Sequence, residues 1–419
     1  MTDYKGETEA LGLQAREASH ALATISTTVK DRALRDMAGA IRDSRARLEE
    51  ANRKDVEGAR AEDLSQAMID RLVLNPMRIE GMAEGLETIV NLPDPVGETT
   101  RAWTRPNGLQ IARLRVPIGV VGIIYESRPN VTADCAGLCL KSGNAIILRG
   151  GKEAFHSNMA IAAVLSGAAE GAGVPAHAIQ IVPWTDREVV KHLLKLDRYI
   201  DVIIPRGGKG LVRMVTEQSL IPVIRHYEGI CHVFVDKDAD LEMAERICFN
   251  AKVQRPSVCN AMETMLVHAD VAEKFLPGMV AKLSEAGVEV RGCEETRALM
   301  PEVKAANEDD WATEYLDLIL SVRVVPGLEA AIKHITVHGS AHTDTIVTNN
   351  YQAARRFTQA VDSATVMVNA STRFSDGFEF GFGAEIGIST SKLHARGPMG
   401  LEELTTYKYV VQGDGQVRE

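Results

Sequence analysis

Beyond residue 115 the chain switches repeatedly between two hydrophobic periods, and few folds use such a pattern. "VPIGVVGIIYE" is a continuous β-branched run of the kind a strand buried on both faces requires. "VTADCAGLCLKSGN" has helical character and ends on Gly143-Asn144, a C-terminal stop. "AIILRGG", "AIQIVP" and "YIDVIIPRGG" repeat the strand pattern. Helical stretches fall between and after them: "HSNMAIAAVLSGAAEGAG", with Ser157 or Asn158 expected as its cap; "DREVVKHLLKL", with Asp186 near its start; and "GKGLVRMVTEQS". Four strand–helix cycles predict a parallel, doubly wound sheet of the nucleotide-binding kind.

A second series follows: "ICHVFVD", "METMLVH", "VEVRG", "LDLILSVRVV", "TDTIVTNN" and "SATVMVNA" as strands, with helices between them. It predicts a second α/β domain. Ahead of both, the first ninety residues read as amphipathic helices. Leu34, Met37, Ala38 and Ile41 recur at helical spacing, and "NLPDPVGETTRAW" closes the region. The expected organisation is residues 1–227 as helices plus dinucleotide-binding domain, 228–385 as a catalytic domain, and 386–419 as a segment returning to the first domain.

The chain has 419 residues, 45% hydrophobic and 25% charged, with net charge −10. That composition supports large cores and argues against a nucleic-acid partner. No basic, then apolar, leader opens the sequence and no apolar run reaches about 18 residues, so neither a signal peptide nor a membrane span is expected. The six cysteines are sparse and lack C-x-x-C spacing. A disulfide framework or a structural metal site is therefore not expected, and a reducing cytoplasm suits them.

Cys259 stands apart. In "NAKVQRPSVCNAMETMLVH" it falls between a helix end and a strand start, bracketed by Ser257 and Asn260, with Pro256 and Arg255 nearby. A loop thiol can reach a cleft between α/β domains. Local positive charge or amide dipoles would make it nucleophilic near neutrality. The alternative is a buried thiol at a domain junction. Cys135, Cys139 and Cys248 read as core positions on helices, Cys231 as part of a strand, and Cys293 as part of a polar loop. The glycine turn "IIPRGGKGLV", with Gly207, Gly208 and Lys209, offers amides and a helix start to an anion, although strand-to-helix glycine turns are common. Arg149 and Lys152 in "ILRGGKEAF" stand where a basic side chain suits a ribose 2′-phosphate and an acidic one a 2′-hydroxyl.

These segments together resemble the aldehyde dehydrogenase superfamily and, within it, the glutamate-5-semialdehyde dehydrogenase (gamma-glutamyl phosphate reductase) family of proline biosynthesis. The resemblance covers nearly the whole chain. It is carried by "VPIGVVGIIYESRPNVTADCAGLCLKSGNAIILRGGKEA", "QRPSVCNAMET", "VPGLEAAIKHITVHGSAHTDTI" and "HARGPMGLEELTTYKYV". It implies a Rossmann-type cofactor domain, an α/β catalytic domain, and a small β arm near 108–117 that joins a homo-oligomer, dimer or tetramer.

By position, the resemblance puts Cys259 on the catalytic thiol and Glu314 on the glutamate that holds the nicotinamide ribose. It puts Arg149 on an adenosine-ribose contact and Lys152 in place of a glutamate common in NAD users, which favours NADP(H). "PRGGKG" falls on the turn beside the cofactor phosphates. The "E-L-G-G-K" glutamate of hydrolytic members is missing. The local sequence is "RHYEGIC"; an ungapped match puts His226 there, with Glu228 nearby. The oxyanion asparagine of "P-W-N-F-P" is matched by Arg128, with Asn130 as the other candidate donor. His342 in "GSAHTD" is expected at the substrate's polar end, or else as a turn cap.

The implied reaction is NADPH-dependent reduction of L-glutamyl 5-phosphate to L-glutamate 5-semialdehyde through a Cys259 thioester, with glutamate 5-kinase as a possible partner. A CoA-acylating relative, a hydrolytic aldehyde dehydrogenase and a catalytically silent dinucleotide-binding oligomer are the alternatives.

Overall fold

The computed structural model describes residues 3–418, and they divide into two compact units. The first comprises residues up to Arg225 together with Gly381–Gly387 and the stretch from Met399. The second comprises His226–Phe380 and Ile388–Pro398.

The first unit opens with five helices: α1 (Tyr4–Leu22), α2 (Thr27–Asp43), α3 (Arg45–Ala61), α4 (Gln66–Leu72) and α5 (Pro76–Val90). Their starts carry the expected chemistry. Ser26 accepts from Val29 N, and Asn75 accepts from Arg78 N just ahead of a helix that begins with Pro76. Leu34, Met37, Ala38 and Ile41 are buried, as their spacing requires. Two strands follow, β1 (Thr99–Thr104) and β2 (Gln110–Pro117).

The nucleotide-type layer runs β3 (Val120–Tyr125), α6 (Asn130–Lys141), β4 (Ala145–Gly150), α7 (Phe155–Gly171), β5 (Ile179–Ile181), α8 (Arg187–Leu193), β6 (Val202–Arg206) and α9 (Lys209–Gln218). Its four strands are all parallel, in the order β5-β4-β3-β6. The direction of winding reverses between β3 and β6, so the carboxyl ends of these two strands form the topological switch point. Every residue of β3 is buried, which is why its sequence carries no polar alternation.

One expectation is corrected here. Neither Ser157 nor Asn158 caps α7, which begins at Phe155, and both are buried inside it. The cap comes from α3. Asp55 accepts from His156 N at 3.0 Å, from Ser157 N at 2.7 Å and from Ser157 Oγ at 2.6 Å. A carboxylate supplied across the helix interface satisfies the helix-start amides, and no local sequence pattern could have announced it.

The second unit contains β7 (Cys231–Val235), α10 (Leu241–Val253), β8 (Met262–His268), α11 (Ala269–Glu285), β9 (Glu289–Gly292), α12 (Glu294–Leu299), β10 (Lys304–Ala305), β11 (Ile319–Val325), α13 (Leu328–His338), β12 (Thr343–Val347), α14 (Tyr351–Ala360) and β13 (Thr365–Val368). Its sheet has the order β10-β9-β11-β8-β7-β12-β13, with every pairing parallel. Separate apolar cores cover its two faces. One is built on Phe275, Leu276, Met279 and Leu283 of α11, the other on Ile332, Ile335 and Phe357 of α13 and α14.

After Gly381–Gly387 the chain re-enters the second unit through the short strand β14 (Gly387–Ser389) and leaves it through β15 (Gly397–Met399). It ends in β16 (Thr405–Gln412), which pairs antiparallel with β2. The result is a three-stranded sheet, β1-β2-β16, in the first unit. The arm foreseen near 108–117 is thus β2, the middle strand of that sheet. Among the described residues no helix is long and apolar enough to cross a membrane.

Candidate active site

Within the second unit, the chemistry-bearing residues gather at the amino ends of the parallel strands. Cys259 lies in the turn between α10 and β8, partly buried. Gly229 and Cys231 lead into β7, Glu314 lies in the connection ahead of β11, and His342 directly precedes β12. Ligands of open parallel sheets usually meet carboxyl ends, so the placement inverts the common rule.

Gly229 joins the cluster. A side chain there has no room, because a Cβ would lie 1.9 Å from the carbonyl oxygen of Cys259 and 2.7 Å from its Cα. The same residue's amide donates to Glu314 Oε1 at 2.8 Å. One glycine therefore sets both the height of the Cys259 backbone and the position of the Glu314 carboxylate. Below it, Cys231 Sγ donates to the Cys259 carbonyl at 3.2 Å, and Ile230 N donates to Ser340 Oγ at 2.8 Å. Gly229→Ala is expected to keep the fold but displace the Cys259 turn. Thiol alkylation rate and turnover should both fall about tenfold or more, because a displacement near 1 Å at a reacting atom has effects of that size or larger. An unchanged alkylation rate at Cys259 would contradict this.

Beyond the thiol, Asn260 is buried and its side chain is fully engaged. Its Nδ2 donates to the Ser375 carbonyl at 2.9 Å, and its Oδ1 accepts from the Arg373 guanidinium. Arg373 also donates through Nε to Gln254 Oε1 at 2.8 Å. Burial and the neighbouring Arg255 pull Arg373 below the usual arginine range, while Asp376, Cys259 and Cys231 act in the opposite direction. A guanidinium thus stands within electrostatic reach of the thiol. Sequence reasoning had pointed to Arg255, which is exposed, and had not found Arg373, more than a hundred residues away.

His342 stands directly ahead of β12. It is fully buried, with Nδ1 2.9 Å from Thr343 Oγ1 and 3.6 Å from Cys231 Sγ, and the ring of His226 packs edge-on at 5.6 Å. Burial, reinforced by His226, pushes its imidazole down to about 3, so it is neutral at ordinary pH. Its other ring nitrogen, Nε2, meets no hydrogen-bond partner among the described residues. His226, at the place of the absent glutamate, donates through Nδ1 to the Ile388 carbonyl at 2.8 Å.

In the first unit the candidates lie at the carboxyl ends of β3, β4 and β6. Ser127, just past β3, takes a left-handed φ of 45°, and Glu153 holds it by accepting from its N at 2.7 Å and its Oγ at 2.8 Å. Strain of this kind collects at functional turns. Arg128 follows Ser127. Asn130 begins α6, exposed, and donates to Asp134 Oδ2 at 2.9 Å.

Arg149 is mostly buried. It donates to the carbonyls of Gly150 at 2.8 Å and Thr185 at 2.9 Å, and its Nε finds no protein acceptor. The Thr185 loop, with Pro183, Trp184 and Asp186, lines a hollow together with Tyr4 and Phe155. Lys152 is exposed and pairs with Glu62 at 2.7 Å, an ion pair worth at most about 1 kcal/mol and easily exchanged for a ligand. Gly207 and Gly208 form the turn into α9, where Gly208 N is already taken by Glu126 Oε2 at 2.9 Å. An aromatic-walled hollow, an orphaned buried guanidinium nitrogen and an exposed lysine fit the adenosine end of a dinucleotide.

The chain combines a parallel nucleotide-type sheet with a second parallel α/β unit that carries a cysteine in the turn before a strand, the make-up of a dinucleotide-dependent dehydrogenase. The model described as the aldehyde dehydrogenase family matches residues 5–311, and the chain belongs to that family, which uses a nicotinamide dinucleotide.

Its relatives are more particular. The chain is 59% identical over 413 residues to the gamma-glutamyl phosphate reductase of Moorella thermoacetica, covering 99% of each chain. It is 56% identical over 409 residues to that of Geobacter metallireducens, covering 98% of each. The crystal structure of gamma-glutamyl phosphate reductase from Thermotoga maritima superimposes with a TM-score of 0.97 at 48% identity, covering 99% of this chain and all of that one. A more distant likeness, TM-score 0.69 at 18% identity, to an acetylating aldehyde dehydrogenase of Geobacillus thermoglucosidasius reflects the shared fold.

Proposed function

We propose that the chain catalyses NADPH-dependent reduction of L-glutamyl 5-phosphate to L-glutamate 5-semialdehyde and phosphate, the reductive step toward proline. The observation that carries this reading is the Gly229 junction. It seats the Cys259 backbone and the Glu314 carboxylate on one residue, while His226 stands where a hydrolytic enzyme would carry its base. The names of the full-length relatives support the substrate.

The Cys259 thiolate attacks the acyl phosphate carbonyl, with Arg373 as the nearby cation. The resulting oxyanion is met by turn amides and by Asn130 or Arg128. The carbon–oxygen bond to phosphate breaks, phosphate leaves and a thioester to Cys259 remains. The position of the water-activating glutamate of hydrolytic enzymes is held by His226, which disfavours hydrolysis of that thioester. The thioester carbon would be reduced by the hydride that NADPH supplies when bound. The oxyanion of the thiohemiacetal then collapses, the carbon–sulfur bond breaks and the thiolate is regenerated with the aldehyde. Glu314 would hold the nicotinamide ribose, and Arg149 and Lys152 would hold the adenosine end. The exposed Lys152 and the diversion of Glu153 to Ser127 favour NADP over NAD. We further propose a homo-oligomer formed through the β1-β2-β16 sheet, whose outer strand leaves Tyr407, Tyr409 and Val411 exposed.

The test runs the reaction backwards. Glutamate 5-semialdehyde, phosphate and NADP are mixed with the protein, and NADPH absorbance is followed, with NAD in a parallel cuvette. Turnover is expected only with phosphate present, and faster with NADP. Phosphate-independent turnover would establish a hydrolytic enzyme instead, and turnover requiring CoA an acylating one.

A further inference from the structure

Two fully buried charges lie next to the Cys259 turn and take no part in the chemistry above. Lys252 Nζ, in the last turn of α10, is 2.6 Å from Glu263 Oε2 on β8, and both side chains are 0% exposed. These residues bracket the turn that carries Cys259, so their ion pair clasps its two ends. The second carboxylate oxygen points elsewhere. Glu263 Oε1 accepts from Leu316 N at 3.1 Å.

Leu316 follows Glu314 by two residues and takes a left-handed φ of 56°, a conformation that a leucine keeps only where its surroundings impose it. Between them, Tyr315 donates to Asp310 Oδ1 and meets Ser321 Oγ, each at 2.8 Å, and its ring faces Lys252 Nζ at 5.9 Å. The Glu314 loop is therefore fixed at three consecutive residues: Glu314 to Gly229, Tyr315 to Asp310 and Ser321, and Leu316 to Glu263.

A buried ion pair is seldom the most stable way to fill a core, and apolar residues of similar volume often do as well or better. Here it supplies what apolar residues cannot: a carboxylate with one oxygen neutralised by a lysine and the other directed at a strained backbone amide. Desolvation, opposed by Lys252 and reinforced by Glu314, leaves Glu263 raised to about 7. The lysine thus lets two glutamates occupy one neighbourhood.

We propose that Lys252 and Glu263 are positioning residues that hold the Glu314 loop in register with Cys259, so that the nicotinamide ribose is received by a preformed carboxylate. This rests on the reading of Glu314 as the ribose contact.

Two double variants separate the parts. Lys252→Met/Glu263→Leu removes the pair and the acceptor for Leu316. Lys252→Met/Glu263→Gln removes the charges but restores an acceptor. NADPH affinity is read by fluorescence titration, alongside melting temperature and the KM for NADPH. The first variant is expected to keep its melting temperature within a few degrees yet bind NADPH about tenfold more weakly, the effect of one lost hydrogen bond. The second is expected to recover most of the affinity. Wild-type affinity in the first variant, or equal loss in both, overturns the proposal.

Glu314→Gln runs beside them. If it binds NADPH as wild type does, the ribose reading fails and this inference with it. If it binds weakly while the first double variant does not, only this inference fails. Should the first variant not fold, amide exchange of residues 313–318 in the wild-type protein decides. Protection before NADPH is added supports a preformed loop, and protection appearing only on binding refutes it.

Discussion

Cys259→Ala is expected to abolish phosphate-dependent NADPH formation, lowering turnover by on the order of a thousandfold or more, as loss of a covalent nucleophile does. The side chain lies in a turn and is partly buried, and its main-chain carbonyl, not its thiol, receives Cys231 Sγ. The contact with Gly229 is likewise through backbone atoms. The substitution therefore leaves the turn's anchors in place. NADP affinity and melting temperature should match the wild type, so the loss would belong to chemistry. Residual turnover within tenfold of wild type would show that the acyl group is not carried on this thiol.

The second large effect is on stability and lies in the sequence motif "GSAHTD". Asp344, fully buried on β12, accepts from His232 N at 3.0 Å and His232 Nδ1 at 2.8 Å through Oδ1, and from Ser363 Oγ through Oδ2. It joins β7, β12 and the approach to β13. Asp344→Ala leaves three donors unmet, two of them on the fully buried His232 and one on the partly buried Ser363. The expected destabilisation is about 3–5 kcal/mol. Calorimetry should show a fall in melting temperature on the order of ten degrees. Measured well below that temperature, the KM for semialdehyde should be unchanged. A raised KM with normal stability would return this motif to substrate recognition.

That motif shows where a sequence reading stops. Its density of polar residues suggests a ligand, and the same density is what a buried hydrogen-bond network requires. His342 and Asp344 are fully buried, and only tertiary burial separates the two cases. Arg373 shows the reverse. Nothing around "STRFSD" marks it, because its partners Asn260 and Gln254 are far away in the sequence. Cys259 was legible because its local signals agreed: a helix end, a strand start and polar neighbours in one short stretch. Asp55 was not, since its acceptor role belongs to a helix about a hundred residues from the amides it caps.

The sequence by itself determined the two α/β series, the parallel pairing that such alternation demands, and the cysteine presented between a helix and a strand. These follow from hydrophobic period and local backbone preference, which act over a few residues. Tertiary structure alone decided that the thiol stands at the amino ends of its sheet, that Gly229 ties Cys259 to Glu314, and that Lys252 and Glu263 clasp the turn between them. Those relations join residues between eleven and eighty-five positions apart. They exist only once burial has removed water as the competing hydrogen-bond partner.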